Sequence, residues 1–318
     1  MATYIIRRLL WIIVLLFVIS ALVFVIFNVL PSADPAALRA GKNPTPAQIE
    51  AVNRSLGLDR PKLTQYFDYM GGVVTRFDFQ RSFVNDEPVR GLILDRIFVT
   101  ASLVAGAVVV WLIIGLSIGM ISAVRRGTLL DRFAMGGALV AISAPVYWLG
   151  LVSLYLFSKD LGRFPLLPGA GAWDNASGFF GHAYALIMPW IVLSAAFAAV
   201  YARLLRANLL ESLSEDYIRT ARAKGLSERR VILRHATRSA ITPIVTILGI
   251  DVGVLLGGAI LTETVFNIPG IGRLAFDAIS RSDLVTIQGT VLFLAFGVAF
   301  LTLVVDIAYA FLDPRVRY

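Results

Sequence analysis

Six stretches of this chain are long and apolar enough to cross a bilayer as helix. They lie near positions 9–30, 97–123, 133–157, 184–204, 241–265 and 286–311. A helix needs roughly 20 such residues to span the hydrocarbon core. Inside lipid every backbone N–H and C=O must be satisfied within the segment. This pattern confines the fold to an all-α polytopic membrane protein with six transmembrane helices. Composition agrees, with 58% hydrophobic and only 16% charged residues over 318 positions, where soluble domains average about a quarter charged. A disordered chain and an ordinary cytosolic enzyme are both excluded. With no cysteine and only His182 and His235, disulfides, thiolate metal sites and cysteine nucleophiles are excluded, and little is left for a histidine metal site. The pI near 10.0 reads as positively charged inner loops rather than as nucleic-acid binding.

The first apolar run follows Arg7 and Arg8 and has no evident small-x-small cleavage site. It also exceeds the about 7–15 apolar residues of a secretory signal, so residues 1–30 read as a retained anchor helix. Placing the N-terminus in the cytoplasm puts 16 Lys and Arg on inner segments and four on the two short outer loops. The positive-inside rule then places both termini in the cytoplasm. The remaining nine positive residues fall in 31–96, which is too long for charge counting to apply.

Segment 31–96 reads as a small extracytoplasmic domain, because it is too long for a bare connector. Thr45-Pro46 has the form of an N-cap and first helical residue, with Gly57 as the stop. Pro61 opens a second helix through Tyr66, Phe67 and Tyr69, ended by Gly71-Gly72. Pro88 to Arg96 is expected to lie along the membrane surface before the second span. Two roles stay open for this domain: docking an extracytoplasmic partner, or covering helix ends. Residues 97–318 form a five-helix core with a cytoplasmic loop at about 206–240.

That loop carries the most informative pattern. In Ser214-Glu215-Asp216-Tyr217-Ile218-Arg219-Thr220-Ala221-Arg222-Ala223-Lys224-Gly225, Ser214 reads as an N-cap with two acids in the first turn. Lys224 sits in the last turn, Gly225 takes the position that wants positive φ, and Leu226 supplies the hydrophobic contact of the cap. Ser227 with Glu228 then reads as a second N-cap. The prediction is two short helices meeting at a bend at Gly225, where small Ala221 and Ala223 permit close approach. The second helix, through Arg229, Arg230, Arg234 and His235, is basic and amphipathic. From the residues alone three readings are open: contact with anionic lipid, a solvated face, or insertion into a groove on a partner.

The run Asp216-Tyr217-Ile218-Arg219-Thr220-Ala221-Arg222-Ala223-Lys224-Gly225-Leu226 resembles the "EAA" loop of ABC-importer permeases, in the variant of dipeptide, oligopeptide and nickel importers, and specifically their first (B-type) permease subunit. His235, Arg238 and Pro243 follow at matching offsets. The resemblance covers nearly the whole chain. It includes Arg7-Arg8, Leu56-Gly57-Leu58-Asp59-Arg60-Pro61, Gln65-Tyr66, Pro145, Trp148 and Phe164-Pro165-Leu166-Leu167-Pro168-Gly169. Later it includes Gly257-Gly258, Glu263-Thr264-Val265-Phe266, Pro269-Gly270-Ile271-Gly272 and Asp313-Pro314-Arg315-Val316-Arg317-Tyr318. One stretch departs. Where the family often has Gly-Asp-Phe/Leu-Gly-x-Ser, this chain has Phe77-Asp78-Phe79-Gln80-Arg81-Ser82.

The resemblance implies a type I permease subunit of the bacterial cytoplasmic (inner) membrane. Such a subunit moves short peptides from a binding protein into the cytoplasm by alternating access. Nickel chelates, glutathione and other small solutes are the alternative substrates. Implied partners are a homologous second permease forming a heterodimer, two cytoplasmic ATPases, an extracytoplasmic binding protein, the peptide and membrane lipid, with no nucleic acid. The chain has no Gly-x4-Gly-Lys-Ser/Thr loop, so it binds no cofactor itself, and ATP and Mg sit on the partner ATPases. The bend and following helix would be the coupling helix, with Tyr217, Ala221, Ala223, Lys224, Gly225, Leu226, Ser227, Arg229 and Arg230 as the ATPase-coupling residues.

Four positions in the spans are pathway or gate candidates. Asp251, mid-span, either contacts a peptide amine or bonds a neighbouring helix, since a carboxylate there costs about 2.5–3.5 kcal/mol unless paired. Glu263 suits a gate or docking role. Gly257 closes a Gly249, Gly253, Gly257 repeat that either packs within the subunit or forms the permease–permease contact. Pro145 is expected to kink the third span. Asp306 reads as structural. An autonomous secondary transporter is the rival class, but no repeat is evident. An intramembrane enzyme is the other, but neither His-Glu-x-x-His nor Gly-x-Ser-x-Gly occurs; the catalytic and metal sites expected are therefore none.

Overall fold

The computed structural model describes residues 2–30 and 45–312, and no β-strand occurs among them. The C-terminal Asp313–Tyr318 motif and residues 31–44 lie outside the described residues. The chain divides into two units. One is drawn from Met1–Thr100 and Pro269–Leu303; the other holds Ala101–Ile268 and the end of the last helix from Val304. Among the described residues five helices are long and apolar enough to cross a membrane, or six if one bent pair counts as a single span.

The first unit begins with α1 (Ala2–Phe24), which continues as a π-helical turn over Val25–Val29. Next come α2 (Pro46–Leu56) and α3 (Lys62–Arg76). Helix α2 starts and stops where its sequence directs. The Thr45 hydroxyl accepts the Gln48 N–H, the Gln48 side chain accepts the Thr45 N–H, and Gly57 ends the helix at φ 65°. Helix α3 does not stop at Gly71-Gly72. It runs on to Arg76, because Tyr66, Tyr69 and Gly72 make one buried stripe that tertiary packing rewards more than two glycines cost. Its end falls at Phe77, at φ 55°.

Residues 77–89 form a tight corner. Phe77 and Gln80, the two positions where the family stretch carries glycine, both hold positive φ (55° and 68°). The turn is therefore made without glycine. Asp78 Oδ1 accepts the Gln80 N–H at 2.9 Å, and the Val89 N–H donates to the Gln80 carbonyl at 3.0 Å. The Phe77 ring packs edge-on to Phe79 and Phe293, with the Arg90 guanidinium above it.

Helix α4 spans Val89–Val124 without interruption. The expected surface segment at Pro88–Arg96 is instead its first turns. Pro88 precedes the first helical residue, and Val89 and Ile93 are fully buried. At 36 residues the helix is about 54 Å long. The unit is completed by α11 (Ile271–Ser280) and the start of α12 (Leu284–Leu312). Its core joins Val23, Tyr69, Phe79, Val89, Ile93, Ile271, Val285 and Leu292. A Cβ at Gly289 would come within 2.8 Å of Val89 and 3.1 Å of Phe79, so that position requires glycine. Asp283, buried at the start of α12, accepts from Ser82 Oγ, from the Phe83 N–H at 3.0 Å and from Thr286 Oγ1 at 2.7 Å. Ser20 Oγ and Tyr66 Oη share a hydrogen bond of 2.7 Å.

The second unit is organised around α7 (Gly178–Ser214), which packs against α5 (Leu129–Ser143), α6 (Val146–Phe157) and α10 (Thr237–Val265). The third apolar run is broken rather than kinked: α5 and α6 meet at 109°. Proline pushes the residue before it out of helical conformation, and Ala144 is extended at φ −85°, ψ 127°. A small-residue face that was not anticipated brings two helix backbones together. A Cβ on Gly115 or Gly119 would fall 2.7 or 2.6 Å from the Ala198 or Ala202 carbonyl, so α4 and α7 approach through a Gly-x-x-x-Gly against Ala-x-x-x-Ala contact. Gly249 and Gly253 are buried within the chain, in keeping with internal packing; the surroundings of Gly257 and the side chain of Asp306 lie outside the described residues.

Candidate functional site

The loop between α7 and α10 begins where α7 ends. Ser214 belongs to α7 rather than capping the next helix, for its hydroxyl donates back to the Glu211 carbonyl at 2.7 Å. The break falls at Glu215, in extended conformation (φ −70°, ψ 151°) with no side-chain cap. Helix α8 (Asp216–Ala223) follows, buries Ile218 and Ala221, and exposes Tyr217, Ala223 and Lys224.

Its end is a complete Schellman cap. The Gly225 N–H donates to the Arg222 carbonyl at 2.9 Å, and the Leu226 N–H to the Ala221 carbonyl at 3.4 Å. Gly225 carries φ 77°, with no atom within 4 Å of where a Cβ would stand. Leu226 is half-buried and Ser227 exposed. Arg222 spans the bend to Glu228, with Nε to Oε2 at 3.1 Å and Nη2 to Oε1 at 2.6 Å. That bidentate bond, then the charge itself, holds the Glu228 carboxyl below its ordinary range and raises the Arg222 guanidinium further.

Beyond the bend the expected free amphipathic helix does not form. α9 (Glu228–Arg230) passes into a π-helical stretch, Val231–Ala236, that runs directly into α10. Val231 and Ala236 are fully buried and act as the anchor. Ser227 stands at the N-cap position without a side-chain cap bond. Arg229 and Arg230 are exposed on this first turn. The short separate helix of the loop is thus α8, ahead of Gly225 rather than behind it.

Sequence reasoning missed a polar centre at the start of α5. Arg206 on α7 makes a two-pronged ion pair with Asp131 on α5, at 2.7 and 2.8 Å. Asp131 is 4% exposed and also accepts from Ser122 Oγ and from the Gly127 N–H at 2.9 Å. Thr128, which caps α5 through the Asp131 N–H, was the available signal: Thr-x-x-Asp at a helix start. The pairing across 75 residues was not readable.

The four pathway candidates are dispersed. Asp251 accepts from Tyr201 Oη at 2.9 Å; Tyr201 lies edge-on to Trp111, which stacks on Phe197 at 4.9 Å. This is the bond to a neighbouring helix weighed above. Glu263 is fully buried one turn before the α10 C-cap at Phe266, whose carbonyl accepts the Gly171 N–H at 2.9 Å. Pro145, Tyr147 and Trp148 line an open groove beside the α5–α6 break. Gly257 lies on α10 two turns from Glu263.

Long apolar helices joined by an exposed loop with a short capped helix define a polytopic membrane protein. Residues 115–318 match the family described as binding-protein-dependent transport system inner membrane component, and residues 1–104 match the N-terminal region of such membrane components. The chain belongs to this family. It is 41% identical over 318 residues, covering 100% of both chains, to the glutathione transport system permease protein GsiC of Escherichia coli (strain K12). The same figures hold for the proteins of that name in Shigella dysenteriae serotype 1 and Shigella flexneri serotype 5b. The protein is a multi-pass inner-membrane permease subunit of an ABC importer, a transport subunit rather than an enzyme. It works with a substrate-binding protein, an ATPase and a second permease.

Proposed function

We propose that this subunit passes short peptides, glutathione among them, from an extracytoplasmic binding protein into the cytoplasm. The observation that carries the substrate class is full-length 41% identity to permeases named for glutathione transport; glutathione is itself a tripeptide. The second permease is a non-identical homologue, and two cytoplasmic ATPases hold the ATP and Mg. Energy enters through the α8–Gly225 loop. Exposed Tyr217, Ala223, Lys224, Ser227, Arg229 and Arg230 meet the ATPase, while buried Ile218 and Ala221 tie the loop to the bundle. Closure of the ATPases moves the loops together and turns the bundle from inward-open to outward-open as rigid bodies. Both termini face the cytoplasm. Pro145, Gly257, Asp251 and Glu263 border the pathway or its gate, Asp251 through its bond to Tyr201.

Uptake of labelled glutathione and of peptides two to five residues long, in cells with and without this gene, tests the reading. Loss on deletion, with ATP-dependent restoration by the intact gene, is expected. Unchanged uptake of all of them in cells lacking a redundant system removes the peptide assignment.

A further inference from the structure

We propose that α3 lies in the surface layer of the bilayer, with Leu63, Phe67 and Val74 set against lipid rather than water. Two observations lead there: the chemistry of its three faces, and the level at which it meets α1.

Each residue step turns a helix by about 100°, so residues three and four apart share a face. Tyr66, Tyr69 and Gly72 form the buried stripe already described. Leu63, Phe67, Met70 and Val74, spaced i, i+4, i+7 and i+11, form a second stripe. Met70 is half-buried, but Leu63, Phe67 and Val74 are 74%, 63% and 76% exposed. One residue step further round run Thr64, Asp68 and Thr75, all exposed. Asp68 pairs there with Arg60 at 3.3 Å. A helix on a water-covered domain needs one apolar stripe, the one facing its core. Here a second apolar stripe stands bare, with a polar one beside it. A helix with protein on one side, lipid below and water above requires this arrangement.

The contact with α1 fixes the level. The Tyr66 hydroxyl shares a hydrogen bond of 2.7 Å with Ser20 Oγ, and its ring lies edge-on to Phe17 at 6.1 Å and to Phe24 at 5.3 Å. All three α1 residues lie inside the apolar span Ile6–Val29. A domain held clear of the membrane would meet α1 only beyond Val29. The span has 24 residues, which makes it about 36 Å long against a hydrocarbon core of about 30 Å. Ser20 stands nine residues before Val29, on the order of 10 Å inside that core. Interfacial helices rest with their apolar face about 5–10 Å into the boundary between headgroups and acyl chains. A helix joined to Ser20 through one tyrosine side chain stands at that level. α1 also exposes Phe17, Val18 and Leu22 there, so lipid already borders this part of the unit. The inference holds whatever the substrate is.

The chain has no cysteine, so single cysteines can be labelled without background. Nitroxide labels are placed on Phe67→Cys, Val74→Cys, Thr64→Cys and Thr75→Cys in the full permease–ATPase complex in lipid nanodiscs. All four positions are exposed, so the labels displace no core packing. Collision with oxygen, which concentrates in acyl chains, is compared with collision with a water-soluble nickel chelate. The oxygen-to-nickel ratio at 67 and 74 is expected to exceed that at 64 and 75 by at least about 10-fold. Equal ratios at all four positions would place α3 in water and overturn the proposal. Shielding of 67 and 74 from both reagents would overturn it too, and would assign the stripe to a protein partner.

Discussion

Two sharp reversals in this protein need left-handed backbone, and they meet that need in opposite ways. At Gly225 the chain uses glycine, in open space, with nothing near the missing Cβ. At Phe77 and Gln80 it uses residues for which positive φ costs about 1–3 kcal/mol each. The second corner tolerates that cost because it is gripped from several sides. The Phe77 ring is held by Phe79, Phe293 and Arg90, and nearby Ser82 and Phe83 are fastened to Asp283. At the Gly225 bend itself the backbone reversal is held by two cap bonds and one exposed ion pair, with the packing supplied on either side by buried Ile218, Ala221 and Val231. A corner locked by packing suits a fixed scaffold. A bend whose apex is open and locally bonded, between buried anchors on either side, suits a joint whose geometry a partner reads.

The comparison is broken most severely by Gly225→Val. A β-branched residue at φ 77° is strongly disfavoured, so transport-linked ATP hydrolysis in proteoliposomes should fall more than about 10-fold with assembly intact; Gly225→Asn should keep most of it. Full stimulation in the valine variant would show that the bend does not carry coupling. Next in size is Asp283→Ala, which strands several buried donors. A loss of about 2–4 kcal/mol is expected, visible as faster proteolysis at residues 77–88, and an unchanged cleavage rate would mean the corner is not held there. Smaller is a pair of glycine substitutions of opposite sign. Gln80→Gly removes strain at an exposed position and should stabilise by about 0.5–1 kcal/mol. Phe77→Gly removes strain too but loses its ring contacts, and should destabilise by about 1–2 kcal/mol. Stabilisation by both would show that the rings do not hold the corner.

The smallest effect concerns the ion pair across the Gly225 bend. The folded-state pKa of Glu228 is depressed by Arg222. Its contribution is therefore present above the unfolded carboxylate value of about 4.3 and is lost as pH falls through the lower folded value. The melting temperature of Glu228→Gln should lie slightly below that of the unchanged protein at pH 7, and the gap should close below pH 4. A gap that persists at low pH would assign the effect to packing rather than charge.

Legibility in the sequence followed the range of each interaction. The caps of α2 and the Gly225 bend were readable because the donor, the acceptor and the glycine lie within a few residues. Reading failed where tertiary packing overrode a local signal. Gly71-Gly72 did not end α3, since its buried face continued through them. Ser214 did not open α8, since α7 held it. Lacking glycine, the 77–82 stretch gave no local signal that a left-handed corner forms there, and the rings that hold it include one more than 200 residues away. In the candidate site, the positions of Tyr217, Ala221 and Gly225 on α8 and its cap were foreseen, but the merging of the following helix into α10 was not. The π-helical stretch that joins them has no cap or breaker to announce it.

From the sequence alone came the membrane class, the apolar runs, the basic loop and the glycine at its bend. These rest on hydrophobicity and on backbone sterics, which act residue by residue. The tertiary structure decided which helices touch and which polar groups meet. Asp131 finds Arg206, Asp251 finds Tyr201 and Asp283 finds Ser82 at separations of 75, 50 and 201 residues. Such meetings depend on how helices cross, set by small-residue contacts such as Gly115 with Ala198, and the periodicity of a single helix does not encode the crossing.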